Sequence, residues 1–225
     1  MILEILKTFR HEYKYVIPYG DMLELRNKLD EVLTLDRGGA YVVRSIYFDS
    51  PDDKDYYDKQ GGEMIRKKLR LRIYDINSDT AKLEIKGKYD YHQLKESLVI
   101  SKEVAKRIIN GEYSDLLMMD NELAKKMYVL LESGYRPKVI IEYDRAAYIT
   151  TTTTRITFDY NIKRSHDFEK FYTNDINYLE LTNPNDVVLE VKFDRFLEPY
   201  ISKILEKYTN RYQSVSKYVM GREDS

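Results

Sequence analysis

Charged and apolar positions alternate along much of the chain. Between residues 66 and 74, Leu69, Leu71 and Ile73 fall on one parity and Lys68, Arg70 and Arg72 on the other. Residues 81–88 repeat the pattern, with Leu83 and Ile85 against Lys82, Glu84 and Lys86. Successive side chains of a strand point to opposite faces, so each stretch predicts a strand with one charged and one apolar face. Residues 9–17, 41–48 and 187–193 also read as strands, and 137–148 with 155–160 as a hairpin around a Thr-rich turn. Helical spacing of Leu25, Leu29 and Val32 behind Asp21 and Glu24 predicts a capping box and a helix over 21–33. Ser50-Pro51 predicts an N-cap and a short helix through Tyr56 and Tyr57, before Gly61-Gly62 breaks the chain. Ser101 and Asn121 open helices that end at Asn110-Gly111 and Ser133-Gly134. Glu198-Pro199 opens another, and 214–220 reads as a last helical turn or two.

Strands polar on one face and apolar on the other predict an antiparallel sheet, and with the helices an α+β fold. The polar faces are densely charged. Curling the sheet with those faces inward gives an antiparallel β-barrel enclosing a basic tunnel, with the helices packed outside. Without a linker, low-complexity stretch or composition shift, residues 1–225 read as a single domain.

Bulk properties narrow the chemistry. Of 225 residues, 43% are hydrophobic and 33% charged, which describes a soluble globular protein with a core. The net charge is −1, from 37 Lys+Arg against 38 Asp+Glu, whereas a nonspecific nucleic-acid binder is usually more basic. A locally positive cavity remains compatible with that total, because low-dielectric walls focus the field of the residues that line it. No cysteine is present, which excludes disulfides, zinc-thiolate sites and thiol nucleophiles. His11, His92 and His166 are scattered, without zinc spacing or a Ser-His-Asp order, and no glycine-rich nucleotide loop occurs. The 22 tyrosines, beside zero tryptophans, fit half-buried strands. The N-terminal apolar stretch lacks the length and cleavage site of a signal peptide, and no run reaches a membrane span, so a cytoplasmic location is expected.

The charge constellations point further. Glu12/Lys14, Glu84/Lys86 and Glu190/Lys192 are Glu-x-Lys pairs on strand-like segments, and Arg70/Arg72 share their spacing. Arg66, Lys68, Arg70 and Arg72 share one face and would repel one another in the absence of anions. Guanidinium groups hold phosphate oxygens bidentately and lysines hold them as point charges, so phosphate binding is the expected role. A glutamate beside them suits Mg2+ or Mn2+, which take hard oxygen ligands, and Glu190, between Leu189 and Val191, is the first choice. Alternation alone leaves open whether Arg145 or Glu142 faces inward.

The stretches Phe-Arg-His-Glu-Tyr-Lys-Tyr (9–15), Ser-Ile-Tyr-Phe-Asp-Ser (45–50), Arg-Lys-Lys-Leu-Arg-Leu-Arg (66–72) and Leu-Glu-Ile-Lys (83–86) form an ordered set with four more. These are Tyr-Asp-Arg (143–145), Arg-Ile-Thr-Phe-Asp (155–159), Leu-Glu-Val-Lys (189–192) and Ser-Val-Ser-Lys-Tyr (214–218). In this order the chain resembles the VTC domain, the polyphosphate-polymerase domain among the triphosphate tunnel metalloenzymes, from about residue 9 to 220. The resemblance implies a basic tunnel in which Lys14, Arg70, Arg72, Lys86, Arg145 and Lys217 are catalytic through their hold on phosphates. Arg66, Lys68 and Lys192 join the phosphate-binding set, and Glu190 with Glu12 would hold Mn2+ or Mg2+. The implied reaction moves the γ-phosphate of ATP onto a growing polyphosphate chain and releases ADP, with no protein nucleophile required.

Two departures shape that expectation. The hydrolytic and cyclase branch begins Glu-x-Glu-x-Lys, and here the stretch is Arg10-x-Glu12-x-Lys14. The missing first acid favours a polymerase over a tripolyphosphate or nucleotide triphosphatase, while a noncatalytic polyphosphate-binding module is the third possibility. The chain carries neither an SPX regulatory domain nor membrane spans, and is expected to be a free-standing, bacterial version. The expected partners are ATP and polyphosphate, without nucleic acid; a partner protein in the membrane or from the same operon is left open.

Overall fold

The computed structural model describes residues 10–89, 92–150, 153–209 and 213–223; the side chains of Arg10, Tyr89, His92 and Gln93 lie outside the description. Strand β1 (Arg10–Pro18) runs into helix α1 (Tyr19–Asp30), followed by β2 (Thr34–Leu35), β3 (Tyr41–Asp49) and α2 (Lys54–Gln60). Next come β4 (Ile65–Ile73), β5 (Thr80–Tyr89), β6 (His92–Ser101), α3 (Lys102–Ile109) and α4 (Glu122–Glu132). The chain continues through β7 (Arg136–Ile149), β8 (Arg155–Ser165), β9 (Leu179–Glu180) and β10 (Asp186–Asp194), and ends with α5 (Pro199–Leu205) and α6 (Lys217–Met220).

The strands form a ten-stranded sheet of order β1-β10-β8-β7-β3-β4-β5-β6, with β2 added to β7 and β9 to β8. Every described register is antiparallel. The expected antiparallel sheet with helices is present as an open hydrogen-bonded path, and no described pairing joins its ends, β1 and β6.

The chain folds into two compact units and passes between them five times. The first unit comprises residues 1–41, 143–162 and 182–215, the second 42–142, 163–181 and 216–225. Because both units are built from separated segments, neither needs a linker or a shift in composition. In the first unit, Ile17, Leu189, Val191, Ile156 and Phe158 come from the strands and are buried against Met22, Leu25 and Leu29 of α1 and Ile201 and Leu205 of α5. In the second, Leu69, Leu71, Leu83, Ile85, Leu98 and Ile100 are buried against Val104 and Ile108 of α3 and Met127 and Leu131 of α4. Each unit therefore hides the apolar parity of its strands beneath helices, which leaves the charged parity on the other face.

Three expectations need correction. Residues 92–101 form the strand β6, which alternation did not reveal. Glu96 sits on the apolar parity, opposite Ile85, and is neutralised by Lys126 of α4. Val99 sits on the polar parity and is 60% exposed. Each residue breaks the period-2 signal. The Asp21/Glu24 capping box does not form: α1 starts directly after Pro18, and Glu24 pairs with Lys28 and Lys207 at 2.9 and 2.6 Å. Finally, α2 starts at Lys54, after Asp53 in a left-handed conformation (φ 54°). The buried carboxylate of Asp49 collects the N–H groups of Ser50, Asp55 and Tyr56, and Ser50 Oγ accepts from Lys54 N at 3.0 Å, so the two side chains together anchor this turn.

Candidate functional site: two charged sheet faces

The second unit carries a cationic face on β3 to β6. Cross-strand register places Tyr47, Arg70, Glu84 and Ser97 in one row, Ser45, Arg72 and Lys82 in the next, and Lys68, Lys86 and Lys95 in a third. Glu84 has no exposed side-chain surface and lies 2.7 Å from Arg70 Nε, 2.5 Å from Lys95 Nζ and 4.0 Å from Arg72 Nη1. Burial alone would raise its pKa, but Arg70, Arg72 and Lys95 outweigh that and hold it at about 2. Glu84 is thus a fixed anion that aims two guanidiniums, and its ion pairs run to the neighbouring strands. Arg72 Nε also donates to Ser45 Oγ at 3.0 Å. The phenol of Tyr47 reports the field: burial would raise its pKa, yet Arg70 and Arg72 leave it lowered. Tyr74, beside Arg72 and Lys82, is lowered in the same way.

The same unit fixes α6. Ser216 Oγ caps it, accepting from Val219 N, and also accepts from Lys68 Nζ at 2.8 Å. Tyr218 stacks on Tyr47 with ring centroids 5.2 Å apart and donates its hydroxyl to Asp49. Arg222 grips Asp53 bidentately at 3.0 and 2.8 Å. Lys217, the first residue of α6, is thereby attached to the unit that holds Arg70 and Arg72, and its charge contributes to lowering Tyr47. Arg66 stands near the start of β4, where its guanidinium donates to the Glu63 carbonyl.

The first unit carries a mixed face on β1, β10, β8 and β7. Glu12 lies opposite Lys192, which lies opposite Arg155; Lys14 lies opposite Glu190, which lies opposite Thr157. Salt bridges knit these rows together: Lys14 to Glu12 at 3.1 Å, Lys192 to Glu190 at 2.5 Å and Lys192 to Glu12 at 3.7 Å. Arg145 is bidentate to Asp159 at 2.6 and 2.7 Å and lies 3.9 Å from Glu190. This settles the parity of β7, because Glu142 belongs to a buried network of the second unit with Arg44, Lys163 and Tyr178. Burial alone would lower the pKa of Lys14, but Glu190, Glu12 and Asp159 raise it overall. Arg145 is raised against burial by Asp159 and Glu190.

The sequence-predicted residues therefore divide. Lys14, Arg145, Lys192, Glu190 and Glu12 meet on the first unit's face, while Arg66, Lys68, Arg70, Arg72, Lys86 and Lys217 belong to the second unit. Arg155, Thr157 and Asp159, alternating on β8, also stand on the first face. They were visible in the Arg-Ile-Thr-Phe-Asp motif as charged and hydroxyl residues on one parity, but carried no assigned role. Two of the histidines stay outside both faces: His11 stacks on Tyr13 and Phe193, and His166 packs edge-on against Phe168; the His92 side chain lies outside the described residues.

As to a metal, no group of three or more Asp, Glu, His or Cys side chains that could hold one occurs among the described residues. Mg2+ and its like are commonly bound by one or two carboxylates, with phosphate and water completing the shell, and Glu190 with Glu12 meets that lesser demand. The hydroxyl of Thr157, opposite Glu190, is buried and has no hydrogen-bond partner among the described residues. The donor set thus fits a cation that keeps water in its shell and does not make a protein-only cage.

In structure the chain is similar to a candidate adenylyl cyclase from Hippeastrum with a dominant triphosphatase activity, at a TM-score of 0.57 and 14% identity, over 95% of each chain. A candidate adenylate cyclase from Bacillus halodurans gives 0.55 and 14%, over 92% of this chain and 95% of that one. A chain of the Schizosaccharomyces pombe Mediator head module gives 0.51 and 8%, over 90% and 97%. At such identities the likeness is one of fold, and a fold hosts unrelated functions. No curated protein matches the chain in sequence. No helix among the described residues is long and apolar enough to cross a membrane. The VTC domain model matches residues 9–224, taking in both charged faces. The chain belongs to the VTC domain family.

Proposed function

We propose that this protein is a metal-dependent polyphosphate polymerase that transfers the γ-phosphate of ATP to the end of an inorganic polyphosphate chain. The observation that carries this reading is the cationic face of the second unit, where Arg70, Arg72, Lys68, Lys82, Lys86 and Lys95 cluster around the carboxylate of Glu84. Such a surface suits an extended polyanion, because each guanidinium offers a fork of donors to phosphate oxygens.

The roles follow from the chemistry of phosphoryl transfer, which asks mainly for positioning and charge neutralisation. Arg70 and Arg72, held by Glu84 and Ser45, bind phosphate oxygens in fixed orientation. Lys68, Lys86, Lys217, Lys14 and Lys192 add point charges, Arg145 adds a further guanidinium fork, and Arg66 extends the set at the start of β4. Lys14 stays protonated in its acidic surroundings and so offers a cation, never a base. Glu190 and Glu12 would hold Mn2+ or Mg2+, which supplies further neutralisation of the phosphate charge. Arg10, where the hydrolytic branch has its first acid, weighs against water as acceptor. A tripolyphosphate or nucleotide triphosphatase uses the same residues and is the second reading, in keeping with the triphosphatase activity of the Hippeastrum relative.

One experiment separates the readings. Purified protein is incubated with ATP and Mn2+, and its products are run on a polyphosphate gel beside a free-phosphate assay. A ladder is the expected result. Phosphate without a ladder establishes the hydrolase, and neither product, with polyphosphate still bound, establishes a binding module.

A further inference from the structure

Thr157 stands in the middle of the first unit's charged face, on β8, directly opposite Glu190 of β10. It alternates with Ile156 and Phe158, both fully buried in the apolar core, so its side chain belongs to the parity of Arg155 and Asp159. It is 2% exposed, and its Oγ1 has no hydrogen-bond partner among the described residues. Its neighbours are engaged: Arg145 holds Asp159, and Lys192 holds Glu190. A buried hydroxyl without a partner costs free energy, and a valine of the same shape would avoid that cost. A strand position that keeps the hydroxyl has a use for it that the unliganded protein does not display.

We infer that Thr157 is an additional contact of the Glu190 site, its hydroxyl oxygen accepting a hydrogen bond from a water of hydration on the divalent cation that Glu190 holds. The inference rests on the metal role proposed for Glu190. Hard cations such as Mg2+ keep several waters when bound by few carboxylates, and those waters need acceptors on the protein. Groups that hold a metal's outer shell tune affinity almost as strongly as its ligands do.

The test compares Thr157→Val, Thr157→Ser and Glu190→Gln with the unchanged protein. Three quantities are measured: the Tm without metal, Mn2+ binding by calorimetry without nucleotide, and tripolyphosphate binding in the presence of chelator. Thr157→Val is expected to keep or raise the Tm, weaken Mn2+ binding about tenfold, and leave chelated tripolyphosphate binding unchanged; Thr157→Ser restores the metal affinity. A fall in Tm with unchanged Mn2+ affinity would show a purely structural hydroxyl and overturn the inference. A loss of tripolyphosphate binding under chelation would assign the hydroxyl to phosphate and overturn it equally. If Glu190→Gln weakens Mn2+ binding and Thr157→Val does not, this inference alone falls. If neither does, the metal role of Glu190 falls with it.

Discussion

The two charged faces are built by the same device, alternation along antiparallel strands, yet their acids and cations are arranged differently. On the second unit's face, Arg70 and Arg72 lower the pKa of Tyr47 although burial opposes them. On the first unit's face, Glu190, Glu12 and Asp159 raise the pKa of Lys14, again against burial. Neighbouring cations favour the phenolate, and neighbouring carboxylates tighten the lysine's hold on its proton. The difference lies in the carboxylates: Glu84 is shared by Arg70 and Lys95, whereas Glu12, Asp159 and Glu190 are interleaved with their cations. Under the proposed function, the same charge alternation serves phosphate in the second unit, and phosphate together with a cation in the first.

The sharpest way to break this contrast is to neutralise one residue on each face. Arg72→Ala or Arg70→Ala is expected to lower kcat by about 100- to 1000-fold, as loss of a preorganised charge contact does, and to weaken tripolyphosphate binding. Glu190→Gln is expected to abolish metal-dependent turnover while tripolyphosphate binding under chelation stays intact. Turnover is read on the polyphosphate gel and binding by calorimetry. If both substitutions weaken chelated tripolyphosphate binding alike, the division of labour between the faces is wrong.

A smaller effect is expected from the anion that organises the cationic face. Glu84→Gln leaves Arg70, Arg72 and Lys95 without their common partner, and removal of one member of a buried ion pair costs about 3–5 kcal/mol. For a chain of this length that corresponds to a fall in Tm of about 10 °C. The pH dependence has a definite sign. The folded pKa, about 2, is depressed below the ordinary value of 4.5. Its stabilisation is therefore complete above pH 4.5 and is lost as the pH falls toward 2. The variant should lack that share of the acid destabilisation, measured as the difference in Tm between pH 6 and pH 3. An identical slope in both proteins would remove Glu84 from its organising role.

Much of the cationic face was legible because strict alternation on one strand, Leu69 and Leu71 against Arg70 and Arg72, survives without any knowledge of the fold. What alternation cannot supply is the partner across the ladder. Sequence spacing pairs Glu84 with Lys86, two residues on, whereas its ion pairs run to Arg70 and to Lys95, on strands either side. Arg145 could not be assigned a face until its contact with Asp159 was known. Glu12 and Lys192 meet although 179 positions separate them, a distance over which a single sequence shows no coupling. β6 was missed because Glu96 and Val99 occupy each other's expected parity, and only Lys126, on a helix, explains the first.

The last contrast sets Glu84 against the other strongly perturbed acid of the second unit, Asp55. Asp55 is 1% exposed, accepts the Tyr135 hydroxyl at 2.9 Å and has a second oxygen with no partner among the described residues. Burial, followed by the nearby charge of Asp49, pushes its pKa up from 3.8 to about 7. Here the folded state binds the proton more tightly than the unfolded chain does. Stability from this group is full below pH 3.8 and declines as the pH rises to 7, the reverse of Glu84. Asp55→Asn keeps an acceptor for Tyr135 and cannot ionise, so it is expected to raise the Tm by a few degrees at pH 8 and by much less at pH 5. Turnover should change little, because the Asp55 side chain bonds to Tyr135 and, among the described residues, to none of those proposed to bind phosphate or metal. A gain of equal size at both pH values would mean that Asp55 does not titrate in this range. A large loss of turnover would extend the working site beyond the charged faces, to the acids that anchor α2.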